Sequence, residues 1–234
     1  MRRTDLKALL LDLDGTLLDH RAAASAGIRS WLATLLPVVP LDLVERWAAL
    51  EEHHVSRAER GEVTWQEQRR HRLAELFAAV GLPAGTDDEL DAHFADFLTH
   101  YEQAWTAYDD VEEGFATWRA AGVRVAVLTN GVNSQQRRKL AAIGVLDDVE
   151  FVVALDDLGV GKPDPRMYAE ACARFGLPAG EVVYVGDDVV RDAVGAHRAG
   201  LVGVWLDRFG LPTPPGVDRV VRGLHEVLPL LSTD

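Results

Sequence analysis

Cysteine is nearly missing from this chain: Cys172 stands alone among 234 residues. A single thiol can form no disulfide within the chain and no thiolate metal cluster, and a reducing cytoplasm fits such usage. Cationic charge is scarce as well. Lys and Arg total 24 against 37 Asp and Glu, so the formal net charge is −13 with histidine neutral. The chain therefore offers no basic stripe on which a nucleic-acid backbone or an anionic membrane would depend. Long apolar runs are lacking too. None approaches the roughly 18 residues of a membrane span, and Asp12 and Asp14 cut the leucine run behind the basic N-terminus far short of a signal-peptide core. The eight histidines are scattered without ligand spacing, which leaves no candidate site for a softer metal such as Zn²⁺. Secretion, membrane insertion and nucleic-acid binding are not expected; a cytoplasmic globular protein is. With 48% hydrophobic and 26% charged residues, a chain of this length can bury a sizeable core.

What is present is a repeated design. Three short apolar runs each end in polar residues and glycine: KALLLDLDG (7–15), VRVAVLTNG (123–131) and EVVYVGD (181–187). Runs of this length, rich in Val and Leu and without clean alternation, predict strands buried on both faces of a parallel sheet. EFVVAL (150–155) and VGVWL (202–206) are two further candidates. The segments 110–121, 133–143, 164–175 and 189–199 read as helices, each followed closely by Gly, and the third opens with Asp164 as cap and Pro165 at its first position. In the second, Leu140 and Ile143 fall together as the apolar face. Strand and helix in alternation predict an α/β layered domain, a Rossmann-like parallel sheet with helices on both faces, whose ligand edge lies at the C-terminal ends of the strands.

Between the first and second strands the pattern changes. Helical spacing recurs over 22–36, 42–58, 64–79 and 88–101, which predicts an α-helical domain inserted at 18–106 between core segments 1–17 and 107–234. The C-terminal stretch 218–231 reads as an amphipathic helix that Pro229 frustrates near its end.

The strand ends gather unusual charge. Asp12 and Asp14 interrupt the leucines of the first strand, and a chain that curls at Gly15 can bring both to one point. Asp187, Asp188 and Asp192 follow the EVVYV strand, Thr129 and Asn130 follow VRVAVL, and Lys162 sits in the loop DLGVGKPDP. Several carboxylates at one spot repel each other unless compensated. A hard divalent cation with oxygen ligands supplies the compensation, and Mg²⁺ beside a phosphate is the natural choice.

With these residues in order, the sequence resembles the haloacid dehalogenase-like hydrolase superfamily, in the branch whose helical cap follows the first strand. The first motif matches Asp12-Leu13-Asp14-Gly15-Thr16, the second Thr129 with Asn130 and Gly131, the third Lys162 before Pro163, and the fourth Gly186-Asp187 with Asp192. The resemblance implies that Asp12 is the nucleophile, forming an aspartyl-phosphate, and that Asp14 is the acid and base. It implies that Thr129 and Asn130 hold phosphoryl oxygens and that Lys162 balances their charge. Mg²⁺ would lie among the Asp12 carboxylate, the Asp14 main-chain oxygen and the Asp187 carboxylate, with Asp188 or Asp192 in its outer shell; Asp192 alternatively orients Lys162. Asp188 departs from the Ser, Asn or Thr often found at its position. Dehalogenases of the family lack the second aspartate, since a halide leaves without a proton. The implied activity is a Mg²⁺-dependent phosphatase acting on a small phosphorylated metabolite such as a sugar phosphate, nucleoside monophosphate or phosphoglycolate, from a monomer or weak homodimer. A β-phosphoglucomutase-like phosphomutase and a non-catalytic regulator of the same fold are the alternatives. The stretch GVWLDR (203–208) is similar to nucleotidase-like members.

Other residues call for plainer roles. Cys172 shares a helical stripe with Tyr168 and Phe175 and reads as core. The tryptophans of the insertion read as packing. Arg57, Arg60 and the arginines of RRHR (69–72) read as a solvated helix face. His20 falls beside the first motif, where it would border the cleft, and no histidine is expected as a catalyst.

Overall fold

The computed structural model describes residues 6–231. They divide into two compact units, 6–19 with 106–231, and His20–Trp105.

The first unit is built on a parallel sheet. Its central strand β1 (Ala8–Leu11) is buried at every position. In the inserted unit lie α1 (His20–Leu35), α2 (Asp42–Glu59), α3 (Trp65–Ala79) and α4 (Asp87–Gln103). The chain then continues through α5 (Val111–Ala120), β2 (Arg124–Leu128), α6 (Asn133–Ala142), β3 (Val152–Val153), a single turn α7 (Leu155–Leu158) and α8 (Pro165–Phe175). It ends with β4 (Val182–Gly186), α9 (Gly195–Arg198), β5 (Val202–Leu206), β6 (Val220–Val221) and the short α10 (Leu228–Leu231). The strand order is β3-β2-β1-β4-β5-β6, and every pairing is parallel. Ala8 and Leu10 point to the face where Met167, Tyr168, Ala171, Cys172 and Phe175 of α8 pack, while Leu9 and Leu11, equally buried, point to the other. This two-sided burial explains the unbroken apolar runs. Asp164 caps α8 by accepting from the Arg166 N–H.

Two elements depart from the sequence expectation. The stretch 218–231 is no amphipathic helix: Val220 and Val221 pair with Trp205 and Leu206 to make β6, and only short helical turns follow at Leu224–Glu226 and α10. Its Val pair finds a sheet edge to complete, and extended Gly223 breaks the chain between strand and turn. The segment 189–199 begins as a π-helical turn, Val189–Val194, and becomes α-helical only at α9.

The inserted unit has its own core, in which α1 packs on α4 and α2 on α3. Trp31, Trp47, Phe77, Phe94 and Phe97 fill it. Thr64 with Glu67 and Thr86 with Glu89 form reciprocal capping boxes that fix the starts of α3 and α4. Arg72 departs from the solvated-face expectation. It is 2% exposed, lies over the Trp47 ring at 4.1 Å and pairs with Glu51 at 2.9 Å. The aromatic face and the carboxylate offset part of the hydration it loses, while its Nε and Nη2 stay buried without a hydrogen-bond partner. His20 also belongs to this unit, with Nδ1 2.8 Å from the Tyr101 hydroxyl and Nε2 3.4 Å from Glu51.

Candidate active site

The site forms in the first unit, where β1, β2 and β4 end side by side. Leu11 is in register with Val127 and Val185, so the residues that follow each strand emerge at one level. Beyond β1 the chain curls at once: Leu13 O accepts from the N–H groups of Thr16, Leu17 and Leu18. Gly15 makes the curl with φ of 87°, and a Cβ there would overlap the Asp187 carboxylate. The glycine of this motif therefore serves both the turn and the approach of a second acidic residue.

The curl leaves Asp12 and Asp14 with separate partners. It sends them to two different lysines. Asp12 is buried and accepts from Lys162 Nζ at 2.6 Å. Asp14 is half-buried, and its Oδ1 and Oδ2 accept from Lys139 Nζ at 2.7 and 2.8 Å. Lys139 had no assigned role in the sequence, and neither had Gln136, whose Nε2 donates to Asp14 Oδ2 at 3.0 Å and to Thr129 Oγ1 at 2.7 Å.

Around Asp12 the charges are tightly held. Lys162, itself buried, also donates to Asp192 Oδ1 at 2.7 Å, and the Tyr184 hydroxyl lies 2.7 Å from its Nζ and 2.9 Å from Asp192. Asp192 Oδ2 accepts the Asp188 N–H at 2.9 Å. Both oxygens of Asp192 are thus engaged in holding the lysine and the turn after β4. A Cβ at Gly186 would overlap the Asp192 side chain, which explains glycine as the last residue of β4. Asp188 turns the other way. Its Oδ1 caps the π-helical turn by accepting from the Val190 and Arg191 N–H groups, each at 2.8 Å.

Oxygens of Asp12, Asp187 and Asp192 lie within 4.8 Å of one another. Three carboxylates against Lys162 leave an excess of negative charge, and it raises the pKa values of Asp12 and Asp187. Burial and the neighbouring Asp192 and Asp187 hold Asp12 well above the ordinary carboxylate range despite the ion pair with Lys162. The protein packed around Asp187, and Asp192 beside it, push Asp187 up to about 7, although that residue reaches the surface. Lys162 is held above its usual range by Asp12 and Asp192, which outweigh its burial. An all-oxygen cluster short of positive charge fits a hard divalent cation. Thr16 steadies its outer side: its hydroxyl accepts the Asp187 N–H at 3.1 Å and lies 3.4 Å from Oδ1. Trp205 Nε1 donates to the Asp187 carbonyl at 2.9 Å.

Thr129 and Asn130 close the second strand. Thr129 Oγ1 accepts from the Gly131 N–H at 3.1 Å and from Gln136, so its own proton is the one left to donate. Thr129 does not cap α6, whose N-cap is Val132 and whose first N–H goes to Asp156. The Asn130 side chain brackets the Lys162 backbone: Oδ1 accepts the Lys162 N–H at 2.6 Å and Nδ2 donates to the Lys162 carbonyl at 3.0 Å. The stretch 203–208 also has structural work here. Arg208 donates to both Asp110 oxygens at 3.0 Å and to the Thr16 carbonyl at 2.7 Å, stacked on Tyr108. Arg208 thereby ties the first motif to the segment at which the chain re-enters this unit.

Comparison with known proteins agrees with this frame. The phosphoserine phosphatase of Thermus thermophilus is 30% identical over 95% of this chain and 98% of its own. The HAD-hydrolase YfnB of Bacillus subtilis, solved bound to magnesium, superposes with a TM-score of 0.83 at 22% identity, covering 97% of this chain and 99% of that one. The L-2-haloacid dehalogenase of Xanthobacter autotrophicus, with chloropropionic acid covalently bound, gives a TM-score of 0.73 at 22% identity over 97% and 98%. The fold alone thus spans more than one chemistry. A family model for haloacid dehalogenase-like hydrolases matches residues 6–200. From the first strand to the glycine that follows α9, this chain belongs to the haloacid dehalogenase-like hydrolases and carries their catalytic aspartates.

Proposed function

We propose that the protein is a Mg²⁺-dependent phosphatase of small phosphomonoesters that works through an aspartyl-phosphate on Asp12. The observation that carries this reading is the cluster of Asp12, Asp187 and Asp192 oxygens around Lys162, whose excess negative charge suits a divalent cation and a phosphoryl group. The presence of Asp14 favours phosphate over halide, because an alkoxide leaving group needs a proton and a halide does not. The full-length similarity to a phosphoserine phosphatase supports the same choice.

In this reading Asp12 attacks phosphorus in line while Lys162 steadies its carboxylate and takes up charge on the phosphoryl oxygens. The Thr129 hydroxyl donates to one of those oxygens. Asn130 acts by fixing the Lys162 loop, a narrower role than direct phosphate holding. Asp14 protonates the leaving oxygen and later takes a proton from the water that cleaves the acyl phosphate. Asp12 and Asp187 carboxylates with the Asp14 main-chain oxygen would hold Mg²⁺, which when bound screens the repulsion between anionic nucleophile and anionic substrate.

The test is release of inorganic phosphate from a panel of phosphomonoesters by the purified protein with Mg²⁺, without a bisphosphate activator. Turnover is expected; a protein inactive across the panel but releasing halide from an L-2-haloacid would refute the reading. Asp14→Ala adds a second check. Loss should be larger by about 10²-fold for an alkyl phosphate than for p-nitrophenyl phosphate, whose leaving group needs little help.

Metal dependence has a pH signature. The folded protein without metal keeps a proton on Asp187 that the unfolded chain gives up, so its stability should fall as pH rises from about 4 to about 7. A cation takes the place of that proton. Mg²⁺ is therefore expected to raise the melting temperature more at pH 8 than at pH 5, and an equal shift at both would count against Asp187 as a ligand.

A further inference from the structure

The helix α6 buries charge where its fold does not require it. Gln136, Lys139 and Leu140 form its buried face, and Ile143, expected from the sequence to share it, is only half-buried. Gln136 is fully buried and Lys139 is 3% exposed. A buried lysine is costly unless paired, and an apolar residue of similar length is often the cheaper choice for folding alone. Gln136 adds to the cost, because its Oε1 is buried with no hydrogen-bond partner. Gly131 makes room for it: a Cβ at Gly131 would overlap the Gln136 amide. Two polar residues are thus buried on one helix, one of them with an unsatisfied oxygen, and what they gain is a grip on Asp14 and Thr129.

The geometry is that of a clamp. Lys139 Nζ reaches both oxygens of Asp14, at 2.7 and 2.8 Å, which fixes the carboxylate's rotation as well as its distance. Gln136 Nε2 sits between Asp14 Oδ2 and Thr129 Oγ1 and ties the two together. Residues 136 and 139 are three apart on one helix, so a single rigid element sets both. We propose that Lys139 and Gln136 are positioning residues that set the Asp14 carboxyl relative to the Thr129 hydroxyl, and so the reach of the proton donor to the leaving oxygen of a phosphoryl group held by Thr129. This rests on the phosphatase reading above. Neither residue need touch the substrate. Their effect passes through Asp14, and displacement of a reacting group by about 1 Å suffices for a large loss of rate.

The experiment compares an alkyl phosphate with p-nitrophenyl phosphate in Lys139→Met, Lys139→Arg and the Asp14→Ala background, with Mg²⁺ saturating. In Lys139→Met the ratio of alkyl to aryl kcat should fall about tenfold or more, with Arg recovering part of it. In Asp14→Ala the same Lys139→Met change should leave the ratio where Asp14→Ala alone had put it. Thermal melting reports folding, and should Lys139→Met not fold, Gln136→Leu carries the same comparison. A folded variant whose two substrates suffer equally, or a ratio that falls again in the Asp14→Ala background, overturns the clamp while leaving the phosphatase reading intact. Wild-type protein that turns over neither ester overturns both.

Discussion

Asp12→Asn is expected to lower phosphomonoester turnover by about 10⁴-fold or more, since it removes the atom that forms the covalent intermediate. The same change should not weaken the fold. Asp12 is a buried carboxyl group whose pKa is held well above the ordinary carboxylate range by burial and by Asp192 and Asp187, so a neutral amide of the same shape relieves the unfavourable burial of charge that the metal-free protein bears. Lys162 keeps Asp192 as a partner at 2.7 Å. The melting temperature of the variant without metal should equal or exceed that of the wild type, a familiar exchange of stability for activity at reacting centres. Activity measured beside a melting curve checks both halves. A stable variant that retained substantial turnover, with contamination excluded, would remove Asp12 as nucleophile.

Lys162→Met is expected to do the reverse to the fold. The lysine side chain is 3% exposed and faces two carboxylates that are themselves buried. Its removal leaves Asp12 and Asp192 without the charge that permits their burial, at a cost of about 3–5 kcal/mol. Urea denaturation in the presence of a chelator measures this directly. Excess Mg²⁺ should restore part of the loss, since it draws on the same carboxylates, and turnover should fall with the lost charge on the phosphoryl oxygens. Unchanged stability in chelator would show that the cluster does not depend on Lys162. The two variants together distinguish a residue placed for chemistry at the expense of folding from one on which both depend.

Much of this site was legible because its residues stand where apolar runs stop. A strand that ends in LLLDLDG or VVYVGD puts polar groups at the edge of a sheet whatever the rest of the chain does, and order along the sequence then gives position along that edge. Lys139 and Gln136 gave no such signal. Within QQRRK a buried lysine and an exposed one look alike until the partner 125 residues away is known. Tyr184 was hidden for the opposite reason: in the middle of an apolar strand it reads as packing, and only the loop of Lys162 reveals that its hydroxyl has polar work. The separate partners of Asp12 and Asp14 were hidden on similar ground. Spacing places both in one turn, while the direction of each side chain is decided by which lysine the fold brings near. The missed strand β6 was a matter of length, since two valines are too few to announce a strand until β5 offers an edge.

The lone thiol has a practical consequence. Cys172 is packed against the sheet, with its ionisation suppressed by burial, so thiol reagents should pass over the native protein. A cysteine introduced at an exposed position such as Val38 of the inserted unit or Leu211 of the other would then be the single reactive handle. Paired dyes or spin labels at those two positions would give the distance between the units in solution, with and without phosphate analogues, from a protein that needs no prior removal of cysteines.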